Sequence, residues 1–300
     1  MKNTMTTTAE AIKTLTFGTE LEYTGITRKD GAKAIHSVVG GTIRYTGGGY
    51  DTWSVFAADG REWKAMRDDS LGLNGGCEVV TPVLRYEDME TLQEVVRALR
   101  RAGAKTPACT SQHVHVGVDH LSAEQIANIA KIFYKQEELI IKSVGTLEKR
   151  LQHYTKKTDA DFIKKIQSKK PTCKDDLNRA WFGAYNPNPQ HYDSHRYRDL
   201  NLNNVWRTGT LEFRLFNGTT HAGEVKSHIQ LALAIVAKGA AAKAASAKNK
   251  REYNEASAKY DMRVFLLGLG MIGAEFETAR HHLLKRLPGD IAFKNGRPAA

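Results

Sequence analysis

Polar and apolar residues alternate along several short stretches of the chain, and each stretch predicts a β-strand. Residues 17–23 (Phe-Gly-Thr-Glu-Leu-Glu-Tyr) follow a polar N-terminus, 112–118 set His113 and His115 against valines, and 210–216 set Glu212 and Arg214 against Leu211, Phe213 and Leu215. Residues 52–57 and 61–67 read as a hairpin around Asp59-Gly60. Glu78 opens a further strand after a glycine-rich turn, and 197–203 reads as a strand joined to 209–216 through a turn at Arg207-Thr208-Gly209. Longer segments carry the helical period. These are 87–102 (Met89, Leu92, Val95, Val96, Leu99), 122–145 (Ser122 as cap, with Ile126, Ile129, Phe133 and Ile140 inward), the alanine-rich 223–247, and 255–287, which is interrupted near 268–273 and stopped by Pro288. Residues 1–14 read as a flexible tail. Residues 40–50 read as a mobile glycine-rich loop lacking the Gly-Lys-Ser/Thr ending of a P-loop. Residues 150–175 read as a polar helix and loop outside the core.

The strands group towards both ends, with helices between them and no regular βαβ alternation. That order predicts an α+β fold with a mainly antiparallel sheet covered by helices. The main domain spans 15–250, and 251–300 form a C-terminal helical extension.

The alternation places chemistry on one side. Residues two apart on a strand share a face, so Glu20 and Glu22 stand side by side, as do His113 and His115, and Glu212 and Arg214. Paired carboxylates repel unless a cation lies between them, which points to a divalent metal. Each pair also has a plainer reading. The glutamates suit the solvated face of an edge strand, the histidines an exposed strand or a satisfied core, and Glu212 and Arg214 an ion pair with each other. Asp69 and Ser70 suit a turn cap. Arg196, Arg198 and Asn203 either contact a substrate or brace a turn, and Arg44, Lys64 and Arg67 are weaker phosphate candidates.

Composition bounds the rest. Three hundred residues with three unevenly spaced cysteines and no CxxC pair exclude a disulfide framework or a zinc ribbon. The longest uncharged apolar run, 264–274, is too short to span a bilayer, no apolar leader opens the chain, and a reducing cytoplasm is the expected setting. The net charge of +11 favours anionic partners. Its basic runs at 142–174 and 238–251 are either solvated helix faces or a surface for an anionic macromolecule, such as nucleic acid or a cell-wall component.

Six segments in order (17–22, Asp69-Ser70-Leu71, 77–82, 113–117, Arg196-Tyr197 with Asn201-Leu202-Asn203, and 209–219) resemble the putative amidoligase family over residues 15 to about 240. That family belongs with the carboxylate–amine ligases of the glutamine synthetase and glutamate–cysteine ligase fold. The resemblance implies a catalytic domain with an antiparallel sheet that carries ATP and Mg2+, with Mn2+ open because a histidine takes part. It implies Glu20, Glu22, Glu78, Glu212 and His113 or His115 as metal ligands, Arg214 facing the transferred phosphate, and carboxylate and amine substrates. Arg196, Asn203 and Lys64 are the accompanying candidates for nucleotide binding. Asp69 stands where the family pattern has glycine, and Cys77 departs from the usual residue before Glu78.

The implied chemistry suits these residue types. ATP activates a carboxylate as an acyl phosphate for attack by an amine, and the protein supplies positioning and charge neutralisation. A guanidinium forks onto phosphate oxygens as an ammonium does not. Two other functions fit the same residues. One is metal-dependent nucleic-acid cleavage by the acids and the HxH pair, and the other is nucleotide binding without turnover.

Overall fold

The computed structural model describes residues 8–71 and 76–296. In chain order the elements are α1 (Thr8–Thr14), β1 (Phe17–Tyr23), α2 (Arg28–Val39), β2 (Thr42–Gly47), β3 (Thr52–Phe56), β4 (Glu62–Arg67), β5 (Cys77–Val80), α3 (Met89–Arg101), β6 (Ser111–Gly117), α4 (Ala123–Val144), α5 (Glu148–His153), α6 (Ala160–Lys169), α7 (Lys174–Phe182), β7 (Leu200–Asn201), β8 (Thr210–Asn217), α8 (Ala222–Ala241), α9 (Ala258–Gly268) and α10 (Glu277–Leu284). The strands form one open sheet in the order β2-β3-β4-β5-β1-β6-β8-β7. Every pairing in it is antiparallel. The architecture is α+β, as the order of elements predicted.

Three helices pack directly on the sheet. α2 lies on β3 and β4, α8 on β6, and α4 on β8. Phe17, Leu21, Tyr23, Val114, Val116, Leu211 and Phe213 point into that layer and are buried. The stripe on α4 is as expected, with Ser122 accepting from the Gln125 amide and Gln125 returning to the Ser122 amide. Alternation sends Glu20, Glu22, His113, His115 and Glu212 to the opposite face.

Several segments depart from expectation. Residues 8–14 are helix rather than tail, because Ile12 is fully buried; residues 1–7 lie outside the described residues, as does the glycine turn at 72–75. α2 was not foreseen. Its Gly31 hides a helix start, and glycine is required there because a Cβ would lie 2.1 Å from the Tyr23 hydroxyl oxygen. The glycine-rich 40–50 segment is not a loop throughout: residues 42–47 form edge strand β2, which pairs with β3 through a register shift near Gly47. The 150–175 segment does not lie outside the core, since Phe162, Ile163 and Ile166 of α6 are buried, as is Leu177 of α7 beyond it. β7 is only two residues long, and the alanine-rich helix ends at Ala241. α9 and α10, split where expected, pack on α4 and α8 through Met262, Leu266, Ala279 and Leu283. Among the described residues no helix is long and apolar enough to cross a membrane.

Candidate active site

Strand register arranges the polar face in rows. Lys64 of β4 pairs with Val80, Val80 with Glu20, and Glu20 with His113. One step along, Met66 pairs with Glu78 and Glu78 with Glu22. In the other direction Gly18 pairs with His115, His115 with Glu212, and Glu212 with Asn201. The site is therefore built by four central strands, β5, β1, β6 and β8, whose partners are far apart in sequence.

Three of these side chains converge. One ligand-type atom from each of Glu20, His115 and Glu212 lies within 4.8 Å of the other two. His115 Nε2 is 3.3 Å from Glu20 Oε1 and 3.9 Å from Glu212 Oε1, and this buried nitrogen has no hydrogen-bond partner. Two carboxylates and an open imidazole nitrogen form a donor set that fits a divalent cation, with the histidine favouring manganese or zinc over magnesium.

His113 is engaged on both sides. Its Nδ1 lies 2.8 Å from Glu20 Oε2, and its Nε2 lies 3.0 Å from Ser111 Oγ. Ser111 also holds Glu22, its amide donating to Glu22 Oε2 at 2.7 Å and its hydroxyl to Glu22 Oε1. A continuous chain Glu20–His113–Ser111–Glu22 results, so of the two histidines it is His115 that keeps a nitrogen open. Glu22 and Glu78 form a second acidic pair beside this chain. Burial, together with the nearby Asp68, pushes Glu22 up to about 7. Burial first, then Glu20, Asp68 and Glu22, push Glu78 well above the usual carboxylate range. Like charges brought together without a cation behave in this way.

Glu212 has the opposite environment. Burial alone would raise its pKa, yet the charges of Arg214, His115 and His113 bring it down to about 2. Asn201 donates to Glu212 Oε2 at 2.6 Å, Asn204 donates to the same oxygen at 3.0 Å, and Arg214 Nη1 donates to Oε1 at 2.5 Å. Burial works against a charged His115, but Glu212 and Glu20 raise its proton affinity. His113 is lowered by burial and then by Arg214.

Arg214 owes its position to a bulge. Val114 pairs with Phe213 and Gln112 with Phe216, so Arg214 and Leu215 together oppose the single residue His113. The distortion leaves strand carbonyls without ladder partners, and the buried Arg150 of α5 supplies donors. Its Nη2 reaches the Arg214 carbonyl at 2.7 Å and its Nη1 the Phe216 carbonyl at 2.6 Å. Arg214 Nε has no partner.

The remaining candidates are more distant. Arg196 lies over the rings of Tyr192 and Tyr197, and its charge partly offsets the upward push on Glu78. Lys64 is half-buried and lies 3.5 Å from Glu62. Asn203 is turned to structural use, its side-chain carbonyl accepting from the Trp181 indole at 2.9 Å. Among the weaker candidates, Arg67 pairs with Asp69, Arg198 with Asp159, and Arg44 lies over Phe56. The hydroxyls of Tyr50 and Tyr192 meet at 2.9 Å, joining the β2–β3 turn to the loop before β7.

Sequence reasoning assigned no role to Ser111, Asn204 or Arg150, and met Asn201 only within the Asn201-Leu202-Asn203 segment of the family resemblance. Ser111 and Asn201 were within its reach, since each shares a strand with, or abuts, a singled-out residue at same-face spacing. Asn204 and Arg150 carry no such signal.

A family model described as "putative amidoligase enzyme" matches residues 13–236. No curated protein matches the chain.

Proposed function

Since the chain belongs to the putative amidoligase enzyme family, we propose that it is an ATP-dependent carboxylate–amine ligase working through an acyl phosphate, on a sheet related to that of glutamine synthetase. Glu20, His115 and Glu212 would hold a divalent cation, Mg2+ or Mn2+, with Glu22 and Glu78 beside them. Bound there, the cation neutralises phosphate charge.

The protein's own groups account for the remaining steps. A substrate carboxylate oxygen attacks the terminal phosphorus of ATP, the bond to ADP breaks, and an acyl phosphate forms. Charge spreads over the phosphoryl oxygens, and Arg214 is the guanidinium to meet it. The amine then attacks the acyl carbon, the carbon–oxygen bond breaks, and phosphate leaves carrying one former carboxylate oxygen. The surplus amine proton passes to solvent. Arg196, lying over the rings of Tyr192 and Tyr197, and Lys64, on β4 in the row of Glu20 and His113, are the further cations available to the nucleotide.

The observation that carries this reading is the convergence of Glu20, His115 and Glu212 next to a buried arginine. An ¹⁸O-labelled carboxylate pool supplied with ATP, a divalent cation and an amine pool tests it. The expected products are ADP and phosphate bearing one labelled oxygen. Label in AMP, or unlabelled phosphate alongside amide product, would contradict it.

A further inference from the structure

The match to the family ends at residue 236, and α9 and α10 lie beyond it. Their inner faces bury Met262, Leu266, Ala279 and Leu283 against the body of the protein. Their outer faces enclose a separate groove of about 660 Å³, large enough for several side chains. Its apolar floor includes Leu267, Ile272, Leu284 and Ile291. Ile272 is 61% exposed and Ile291 46%. Val264 and Phe293 are also exposed; among the described residues only Val83 and Leu147 are comparable aliphatic or phenyl side chains elsewhere. Of these, Ile272 and Ile291 share the groove, and exposed apolar side chains gathered in one place mark interaction surfaces, as against those scattered singly.

The walls are basic. Lys259, Arg263 and Leu267 recur every four residues on α9 and so share a stripe. Arg280 and Lys285 line the other side, and Glu277 is the one acidic lining residue. Arg280 is occupied by the carbonyls of Met271 and Gly273, and Lys285 by Glu224. Lys259 and Arg263 form no ion pair among the described residues, so two cations border the apolar floor uncompensated.

We infer that the α9–α10 groove docks an acidic amphipathic helix of a partner protein, which lays its apolar stripe on Leu267, Ile272 and Ile291 with carboxylates against Lys259 and Arg263. The shape suits the helix-in-groove mode of recognition. A second copy of this chain is disfavoured, because two chains of net charge +11 repel. A nucleic-acid strand has no use for the aliphatic floor, and a flat lipid surface does not enter a walled groove.

The test measures fluorescence anisotropy with the full chain and a labelled Leu/Glu amphipathic helical peptide, beside a twin in which lysine replaces each glutamate. Arg263→Glu changes a half-buried groove position and Ile272→Asp an exposed one, and thermal unfolding checks that both variants remain folded. The acidic peptide is expected to bind the more tightly, and each substitution to weaken it by about tenfold. Equal binding of the two peptides, binding indifferent to both substitutions, or capture of phosphatidylglycerol vesicles in place of the peptide would overturn the inference.

Discussion

Arg150 of α5 donates from Nη2 to the backbone carbonyl of Arg214 at 2.7 Å, so one buried arginine supports the strand distortion that presents another. With its second nitrogen on the Phe216 carbonyl, Arg150 ties a helix outside the sheet to the centre of the site. Its own pKa is pushed down to about 10 by burial, with Glu22 opposing that shift.

Replacing Arg150 with methionine removes those donors and leaves the carbonyls of a buried bulge unpaired. The loss is expected to cost about 3 kcal/mol of stability, read from urea denaturation, with turnover falling as Arg214 loses its fixed position. A variant as stable as the parent would show that the bulge is held by the sheet alone.

Divalent cations are expected to stabilise the protein. At a hundredfold excess over the dissociation constant, Mn2+ adds about 2.7 kcal/mol, which appears as a raised melting temperature. Glu20→Gln and His115→Asn each remove a donor and should abolish the rise. An undiminished rise in both variants would place the cation elsewhere.

Arg214→Lys keeps the charge and loses the fork. The maximal rate is expected to drop about a hundredfold, the scale for removing one preorganised donor, with a smaller change in ATP affinity. Weakened ATP binding at an unchanged rate would make Arg214 a ground-state anchor.

His228 offers a pH test away from the acidic cluster. It is buried, stacks on Phe216 with ring centroids 4.3 Å apart, and its Nδ1 lies 2.8 Å from Gln112 Oε1. Burial is the main cause, with Arg286, His282 and Lys285 adding to it and Glu224 opposing, and its pKa falls from 6.5 to about 3. A base depressed on folding binds its proton more readily when unfolded. Stability is therefore lost as pH falls from about 6.5 towards about 3, on the order of 3 kcal/mol by pH 4. His228→Asn, which keeps a donor for Gln112, should flatten that part of the stability profile. Identical acid slopes would show that other groups set it.

The central strands were legible in the sequence because their alternation is strict, and Glu20, His115, Glu212 and Arg214 followed from same-face spacing. What alternation cannot supply is register between strands about a hundred residues apart, such as Phe17 with Val116 and Ser111 with Asn217. It gave no means of telling His115 from His113, which differ in that Ser111 and Glu20 occupy both His113 nitrogens while His115 Nε2 has no hydrogen-bond partner. The β8 bulge has no signature in Glu-Phe-Arg-Leu-Phe. Arg150 lay hidden within a basic run that reads as solvated surface. α2 was obscured by Gly31, whose reason is the Tyr23 hydroxyl arriving from another element, and α6 by the lysines flanking Phe162, Ile163 and Ile166.

The most direct measurement supplies hydroxylamine as the amine, since it intercepts acyl phosphates as hydroxamates. The protein is incubated with ATP, Mn2+ and a pool of carboxylate metabolites, and ADP and hydroxamate are quantified together. ADP and hydroxamate are expected in equal amounts, both absent without the cation and both lost in Glu20→Gln. AMP as the nucleotide product, hydroxamate without ATP cleavage, or full activity in Glu20→Gln would contradict it.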